Sequence, residues 1–175
     1  MIRAARLDDL AMLREIERAA GASFRALGMA AVADDEPPSV TELASFVDGD
    51  RAWVCADETD RPMGYLLASV IEGCGHIEQV SVRPDHARLG LGRSLLAAAD
   101  TWAQQQGLTA LTLTTYSEVP WNAPYYRRLG FEVLAEDEMT DGLLRIRHRE
   151  AARGLAAWPR VTMRRPVNKA GSSAT

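Results

Sequence analysis

Two glycines, Gly90 and Gly92, separate an apolar run that ends at Val82 from a long stretch of helical periodicity, in the segment VSVRPDHARLGLGRSLL at residues 80–96. Bare backbone at that place has a chemistry of its own. The first N–H groups of a helix have no intrahelical acceptor and lie at the positive end of the aligned peptide dipoles, so they suit an anion. Glycine carries no Cβ to hold a phosphate away from those groups. Two familiar versions of such a cradle do not fit. The dinucleotide fingerprint needs G-x-G-x-x-G, whereas the chain continues Gly90-Leu91-Gly92-Arg93-Ser94-Leu95; the Gly-Lys-Ser/Thr of nucleoside-triphosphate loops occurs nowhere. What remains is an anion cradle of another kind, or a tight turn that merely requires glycine. Just upstream, alternation along HIEQVSV puts His76, Glu78, Val80 and Val82 on one strand face, so an imidazole and a carboxylate lead toward the cradle.

These residues need a scaffold, and the chain supplies one with an α/β rhythm. Its 175 residues suffice for one domain with a real core, and 47% hydrophobic and 25% charged residues are ordinary for a globular protein. A net charge of −4 gives no electrostatic case for nucleic acid, and no apolar run approaches a membrane span. Met1-Ile2-Arg3 runs directly into structure without a signal peptide, so a cytoplasmic location is the default. Cys55 and Cys74 lack ligand or redox spacing and read as a core thiol and a turn thiol, with no metal expected.

Residues 2–6 predict a strand. Asp8 then caps a helix that carries Leu10, Leu13 and Ile16 on one face, with Leu7 and Met12 as a hydrophobic staple. Residues 21–38 read as a loop rich in small residues, with a broken helical turn and an acidic end; Ser39 and Glu42 form a capping box for the second helix. Strands at 51–58, 63–72 and 76–82 make an antiparallel meander. The long helix after the glycines runs to about Gln106, with Leu91, Leu95, Ala98 or Ala99 and Trp102 on one side. A strand at 108–116, a short helix opened by Asn122 and stopped by Gly130, a strand at 131–136, a helix at 140–154 and a strand at 160–165 follow. Residues 167–175 have no apolar pattern and read as a loose tail, leaving 1–166 as a single domain.

This order of elements, together with VSVRPDHARLGLGRSLL and NAPYYRRLGFEVL, resembles the GNAT superfamily of acetyl-CoA-dependent N-acetyltransferases over roughly residues 2–165. The resemblance implies an α/β (α+β) GNAT fold, with a mixed and mostly antiparallel central sheet of about seven strands flanked by helices. The family's phosphate loop reads Gln/Arg-x-x-Gly-x-Gly/Ala. Gly90 and Gly92 match it, while Ala87 stands where Gln or Arg is usual and Arg88 comes one residue late. By resemblance, Arg88, Leu89, Gly90, Leu91, Gly92, Arg93 and Ser94 cradle the CoA pyrophosphate at a helix start. Val80 and Val82 would offer backbone groups to the pantetheine arm, like an added strand.

Direct acetyl transfer needs a neutral amine to attack the thioester and a proton for the departing thiolate. The family commonly takes that proton from the Tyr of Tyr-x-x-x-Gly-Phe, which Tyr126-Arg127-Arg128-Leu129-Gly130-Phe131 matches at each fixed position. A phenol, with an ordinary pKa of ~10, is protonated at neutral pH and can donate to a thiolate. Tyr126 is therefore the implied acid and Tyr125 the packing residue; the competing reading is that Tyr126 merely packs beneath the cofactor. Asn122 caps the short helix, contacts CoA as the resemblance implies, or does both. Family members place a base or a water-holding group at the position of either His76 or Glu78, and Glu78, nearer the loop, ranks first. The plainer readings are a structural hydrogen bond for Glu78 and a strand-end surface position for His76.

The family builds its acceptor site from the first helices and their loop, here 21–38, and from the segment between the last two strands, here 137–160. Phe24 and Met29, with Glu78 and Trp121, are the implied substrate-binding side chains. Asp34-Asp35-Glu36 forms an acidic rim that would draw a cationic amine or simply be solvated. The inserted helix at 140–154 carries Arg145, Arg147, Arg149 and Arg153, and walls the pocket, makes a dimer contact or faces solvent. The implied partners are acetyl-CoA and a primary amine of a small molecule or peptide, with no nucleic acid, no membrane and no metal; a homodimer is left open. Two other classes compete: a non-catalytic acyl-CoA-binding sensor, and a nucleotide-binding module on the same loop. The latter lacks the third glycine, the phosphate lysine and a repeated βαβ order.

Overall fold

The computed structural model describes residues 1–167. Its strands are β1 (Ile2–Ala4), β2 (Ala52–Ala56), β3 (Pro62–Ile71), β4 (Cys74–Val82), β5 (Ala110–Tyr116), β6 (Glu132–Val133) and β7 (Arg160–Pro166). They form one seven-stranded sheet in the order β1-β2-β3-β4-β5-β7-β6. β4 and β5 pair in parallel, while β1 with β2, β2 with β3, β5 with β7 and β6 with β7 pair antiparallel. The helices are α1 (Leu10–Ala22), α2 (Ala30–Ala33), α3 (Val40–Asp48), α4 (Leu91–Gln105), α5 (Ala123–Arg128) and α6 (Asp141–Ala152). The mixed, mostly antiparallel sheet flanked by helices is the expected one. Contacts divide the chain into two compact units: residues 1–68 with 78–99, and residues 69–77 with those from 100 onward.

In the first unit, α1 and α3 lay Leu10, Leu13, Ile16 and Leu43 against Ala52, Val54, Tyr65 and Leu67 of β2 and β3. Burial of each such aliphatic side chain contributes roughly 1.5–3 kcal/mol, which holds two amphipathic helices on one sheet face. The predicted capping box is present: Glu42 N–H donates to Ser39 Oγ at 3.1 Å, and Ser39 N–H to Glu42 Oε2 at 2.7 Å. The start of α1 differs from the expectation. A single turn of 3-10 helix, Leu7–Asp9, precedes it, and Asp9 rather than Asp8 accepts the Arg6 N–H at 2.8 Å while pairing with Arg3. Leu7 is 56% exposed and staples nothing. Residues 21–38 resolve into a short turn, Ser23–Leu27, closed by Gly28 at φ 74°, and the one-turn α2.

In the second unit, β5 and β7 pair from Ala110 with Pro166 to Tyr116 with Arg160, and Leu111, Leu113 and Met163 are buried there. The inserted helix is docked on this unit by specific contacts. Thr140 caps α6 by accepting the Leu143 N–H, and its hydroxyl donates to Glu72 Oε1 at 3.1 Å. A Cβ at Gly142 would stand 1.8 Å from that same Glu72 oxygen and 2.8 Å from Ile71 Cγ2, so a larger residue would have to displace the Glu72 side chain and crowd Ile71. Leu143 and Ile146 are buried, Glu150 is paired with Arg160, and Arg147 donates to the Arg160 carbonyl at 3.1 Å. Arg145 and Arg149 are exposed, so the basic face is turned to solvent apart from Arg147. The strand expected at 131–136 shrinks to the two residues of β6, because a 3-10 turn at Glu136–Glu138 ends it. Of the expected tail, Val167 donates its N–H to Thr109 O at 3.1 Å; the rest lies outside the described residues.

Candidate functional site

The loop into α4 has the makings of an anion site. The first N–H to find an acceptor is that of Ser94, which donates to Gly90 O at 3.0 Å, and the Ser94 hydroxyl donates to the same oxygen at 3.1 Å. Among the described residues no acceptor meets any backbone N–H from Arg88 to Arg93. Gly90 sits at φ +75°, a left-handed conformation natural to glycine, and a Cβ there would meet nothing within 4 Å. The space over its backbone is open. Arg88, itself at φ 65°, and Arg93 are exposed, and neither has an ion-pair partner among the described residues. Unpaired N–H groups, a helix N-terminus and two uncommitted guanidiniums converge in sequence on this one turn, a donor set that fits a diphosphate.

Upstream, the parallel ladder between β4 and β5 holds Gly75 opposite Leu111 and His76 opposite Thr112. Val80 and Val82 are half-buried. His76 and Glu78 fall on the same strand face by alternation, yet their surroundings differ. His76 is 2% exposed and its Nδ1 lies 2.8 Å from Thr112 Oγ1, which corrects the strand-end surface alternative. Glu78 is exposed.

Tyr126 occupies the last turns of α5, and its six-residue motif has a backbone explanation. Phe131 N–H reaches back to Tyr126 O at 3.1 Å and Gly130 N–H to Arg127 O at 3.0 Å, with Gly130 at φ 89°. That is a Schellman stop, in which the residue after glycine packs on the one five positions earlier. The Tyr126 and Phe131 rings meet edge to face, with centroids 5.9 Å apart. Arg165 fixes the far side, stacking over Phe131 and donating to Leu129 O at 2.8 Å. Tyr126 is 8% exposed, and its hydroxyl has no hydrogen-bond partner among the described residues. Burial, then the neighbouring Tyr125, pushes its phenol above the ordinary value.

The Asn122 side chain makes no cap bond, contrary to expectation; its backbone carbonyl accepts the Tyr126 N–H instead, and Pro124 in the first turn removes one donor a cap would serve. Tyr125 is half-buried rather than core, with Arg128 over its ring. Of the implied acceptor-side residues, Met29 is buried at 4% exposure and packs inward, Phe24 is half-buried, and Trp121 is 40% exposed.

One polar cluster escaped the sequence reading. Glu17 of α1 accepts hydrogen bonds from Tyr65 Oη at 2.7 Å, Ser81 Oγ at 2.6 Å and Gln79 Nε2 at 3.0 Å, and Gln79 also donates to Ser81 Oγ. Desolvation raises the Glu17 pKa; the Ser81 and Tyr65 hydrogen bonds oppose it, and the charge of Asp35 adds to it. In sequence Glu17 looks like Glu15, another polar position on the helix. The available signal was the polar pair Gln79 and Ser81, which alternation turns to the face opposite Glu78 and Val80.

The profile of the Acetyltransferase (GNAT) family matches residues 11–131. The peptidyl-lysine N-acetyltransferase YjaB of Escherichia coli K12 is 28% identical over 99 residues; the match covers 57% of this chain and 61% of that protein, less than two thirds of its length. Among solved structures, the ribosomal-protein-S18-alanine N-acetyltransferase of Escherichia coli superposes with TM-score 0.64 at 21% identity, covering 100% of this chain and 98% of that one. The PaiA N-acetyltransferase of Thermoplasma acidophilum, in complex with coenzyme A, does so with TM-score 0.69 at 16% identity, covering 95% and 98%. The family profile covers β2 to β5 and the open glycine turn before α4, and the sheet order agrees with it: the chain belongs to the acetyltransferase (GNAT) family.

Proposed function

We propose that the protein transfers the acetyl group of acetyl-CoA directly to a primary amine of a small molecule or peptide. The observation that carries this reading is the run of backbone N–H groups from Arg88 to Arg93 that find no acceptor among the described residues and are free to hold an external anion. In this reading Arg88, Leu89, Gly90, Leu91, Gly92, Arg93 and Ser94 hold the CoA diphosphate. Val80 and Val82 lend backbone groups to the pantetheine arm. Asn122 contributes a side chain free of capping duty.

Bound there, acetyl-CoA supplies a thioester whose carbonyl carbon is the electrophile. The amine nitrogen forms the new C–N bond as the C–S bond breaks. Tyr126 gives its phenolic proton to the departing sulfur; a hydroxyl on a buried ring, with no partner among the described residues, suits a donor that stays protonated until the moment of transfer. Glu78, exposed on β4, takes the proton that leaves the nitrogen, directly or through water, and ranks above His76, whose Nδ1 is already engaged by Thr112. Relatives named for peptidyl-lysine and for a ribosomal-protein alanine support an amine acceptor.

The test is a free-thiol assay with acetyl-CoA against amines, amino acids, aminoglycosides and short peptides. Thiol release that depends on the added amine is the expected result. Tight CoA binding with no release on any amine would replace the enzyme reading with the sensor.

A further inference from the structure

The helix that carries Tyr126, α5, is six residues long, too short to hold its own shape, so its C-terminal stop must be fixed from outside. Tyr126 O takes the Leu129 N–H at 3.0 Å and the Phe131 N–H at 3.1 Å. Leu129 O is one of the carbonyls that a helix end leaves without an intrahelical donor. Arg165 of β7, 36 residues beyond Leu129, reaches it and donates from Nη1 at 2.8 Å. The same guanidinium lies over the Phe131 ring, 4.7 Å from its centroid, and that ring meets the Tyr126 ring at 71°.

Asp100 of α4 orients the guanidinium by accepting from its Nη2. Both side chains are largely buried, Arg165 at 18% and Asp100 at 13% exposure. As a source of stability the pair is poor. Arg165 Nε and Asp100 Oδ1 are buried without a hydrogen-bond partner among the described residues, and a buried ion pair offsets its desolvation only when such atoms are met. What the pair does supply is direction. Carboxylate, guanidinium, Phe131 ring and Tyr126 ring form one packed series, and the phenol at its end has no hydrogen-bond partner among the described residues to hold it.

We infer that Arg165, oriented by Asp100, is a positioning residue for Tyr126: it clamps the stop after α5 and so sets the place of the phenol that acts as acid. The inference rests on the acetyltransferase reading above. A proton donor displaced by about 1 Å can lose on the order of 10²-fold in rate, whereas a diphosphate held by the Arg88–Arg93 backbone would not feel the change.

The experiment is a double-mutant cycle. Asp100→Leu together with Arg165→Met replaces the pair by apolar groups, which keeps the site filled and removes the directed bond to Leu129 O. The expected result is a kcat ~10–100-fold below the wild type, with the CoA Kd and the amine KM within about 3-fold. In a Tyr126→Phe background the same double substitution should change kcat by less than about 2-fold, because its effect passes through the phenol. A merely structural pair would leave kcat unchanged in the folded variant, or lower it equally in both backgrounds; either result overturns the inference. Should the double substitution not fold, Asp100→Asn keeps the shape, weakens the hold on the guanidinium and runs the same cycle with a fall of ~3–10-fold. Should the wild type turn over no amine, fluorine NMR of the chain made with fluorotyrosine reads the ring directly. The Tyr126 resonance, assigned by its loss in Tyr126→Phe, should then shift or split in the pair variant while that of Tyr65 stays, which upholds the clamp although the reaction fails. An unmoved Tyr126 resonance overturns it whatever the reaction does.

Discussion

The loop Arg88–Arg93 and the turn Tyr126–Phe131 each matched a family motif in sequence, but the structure treats them in opposite ways. In the first, glycine leaves open space over Gly90, and the backbone donors and two arginines find no acceptor or ion pair among the described residues. In the second, every fixed position has a local duty: Gly130 supplies the left-handed residue, Phe131 N–H closes the stop and its ring covers Tyr126. The first motif leaves donors that a ligand could take; the second is complete as a helix end. A spacing explained by the fold says little about chemistry, so the case for Tyr126 rests on its unpaired hydroxyl rather than on the motif.

That contrast is sharpest at Tyr126 itself. Tyr126→Phe keeps the ring packing and deletes only the proton donor, so kcat should fall ~10²–10⁴-fold, with CoA affinity and melting temperature nearly unchanged. Unchanged turnover would return the whole motif to helix capping. The raised phenol pKa fixes the sign of the pH dependence. The acid form is the active one and persists as pH rises past 10.0, so the tyrosine should impose no basic limb below that value.

Phe131→Ala attacks the structural side of the same turn. It should destabilise the protein by ~3–5 kcal/mol in denaturant titrations, because the ring is 2% exposed and lies between Tyr126 and Arg165. A loss below about 1 kcal/mol would mean the stop is held by its backbone bonds alone. Gly90→Val is the counterpart in the loop. The left-handed conformation should cost the empty protein about 1–2 kcal/mol, while the added side chain fills the open space and raises the CoA Kd ~10–100-fold by calorimetry. Equal CoA affinity would make Gly90 a turn residue and nothing more.

The smallest expected effect concerns Glu17. Its folded-state pKa is raised, so the folded protein holds a proton that the unfolded chain releases, and the carboxylate costs stability above its ordinary pKa. Glu17→Gln should therefore stabilise the chain by about 0.5–2 kcal/mol at pH 7–8, with the gain shrinking as pH falls toward 4. Destabilisation at neutral pH would identify the ionised cluster as structural.

Most of the fold was legible because its signals are local. The Ser39–Glu42 capping box, the Gly130 stop and the α4 face with Leu95 and Ala99 buried each depend on residues a few positions apart. The failures were also local, at ends where two patterns compete. A 3-10 turn moved the start of α1 from Asp8 to beyond Asp9, and another cut β6 short. The glycine loop of the site could be read from its neighbours, whereas Glu17 could not. Its partners Tyr65 and Ser81 lie 48 and 64 residues along the chain, and no periodicity of α1 announces which strand it will meet.

The most direct test of the loop assignment is an amide-resolved NMR titration of the full chain with coenzyme A. The N–H resonances of Arg88 to Arg93 should show the largest shifts, led by Gly90, with those of the Tyr126–Phe131 turn much less moved in their hydrogen-bonded amides. Binding that leaves the Arg88–Arg93 amides in place, or no binding at all, would contradict the cradle and with it the proposed reaction.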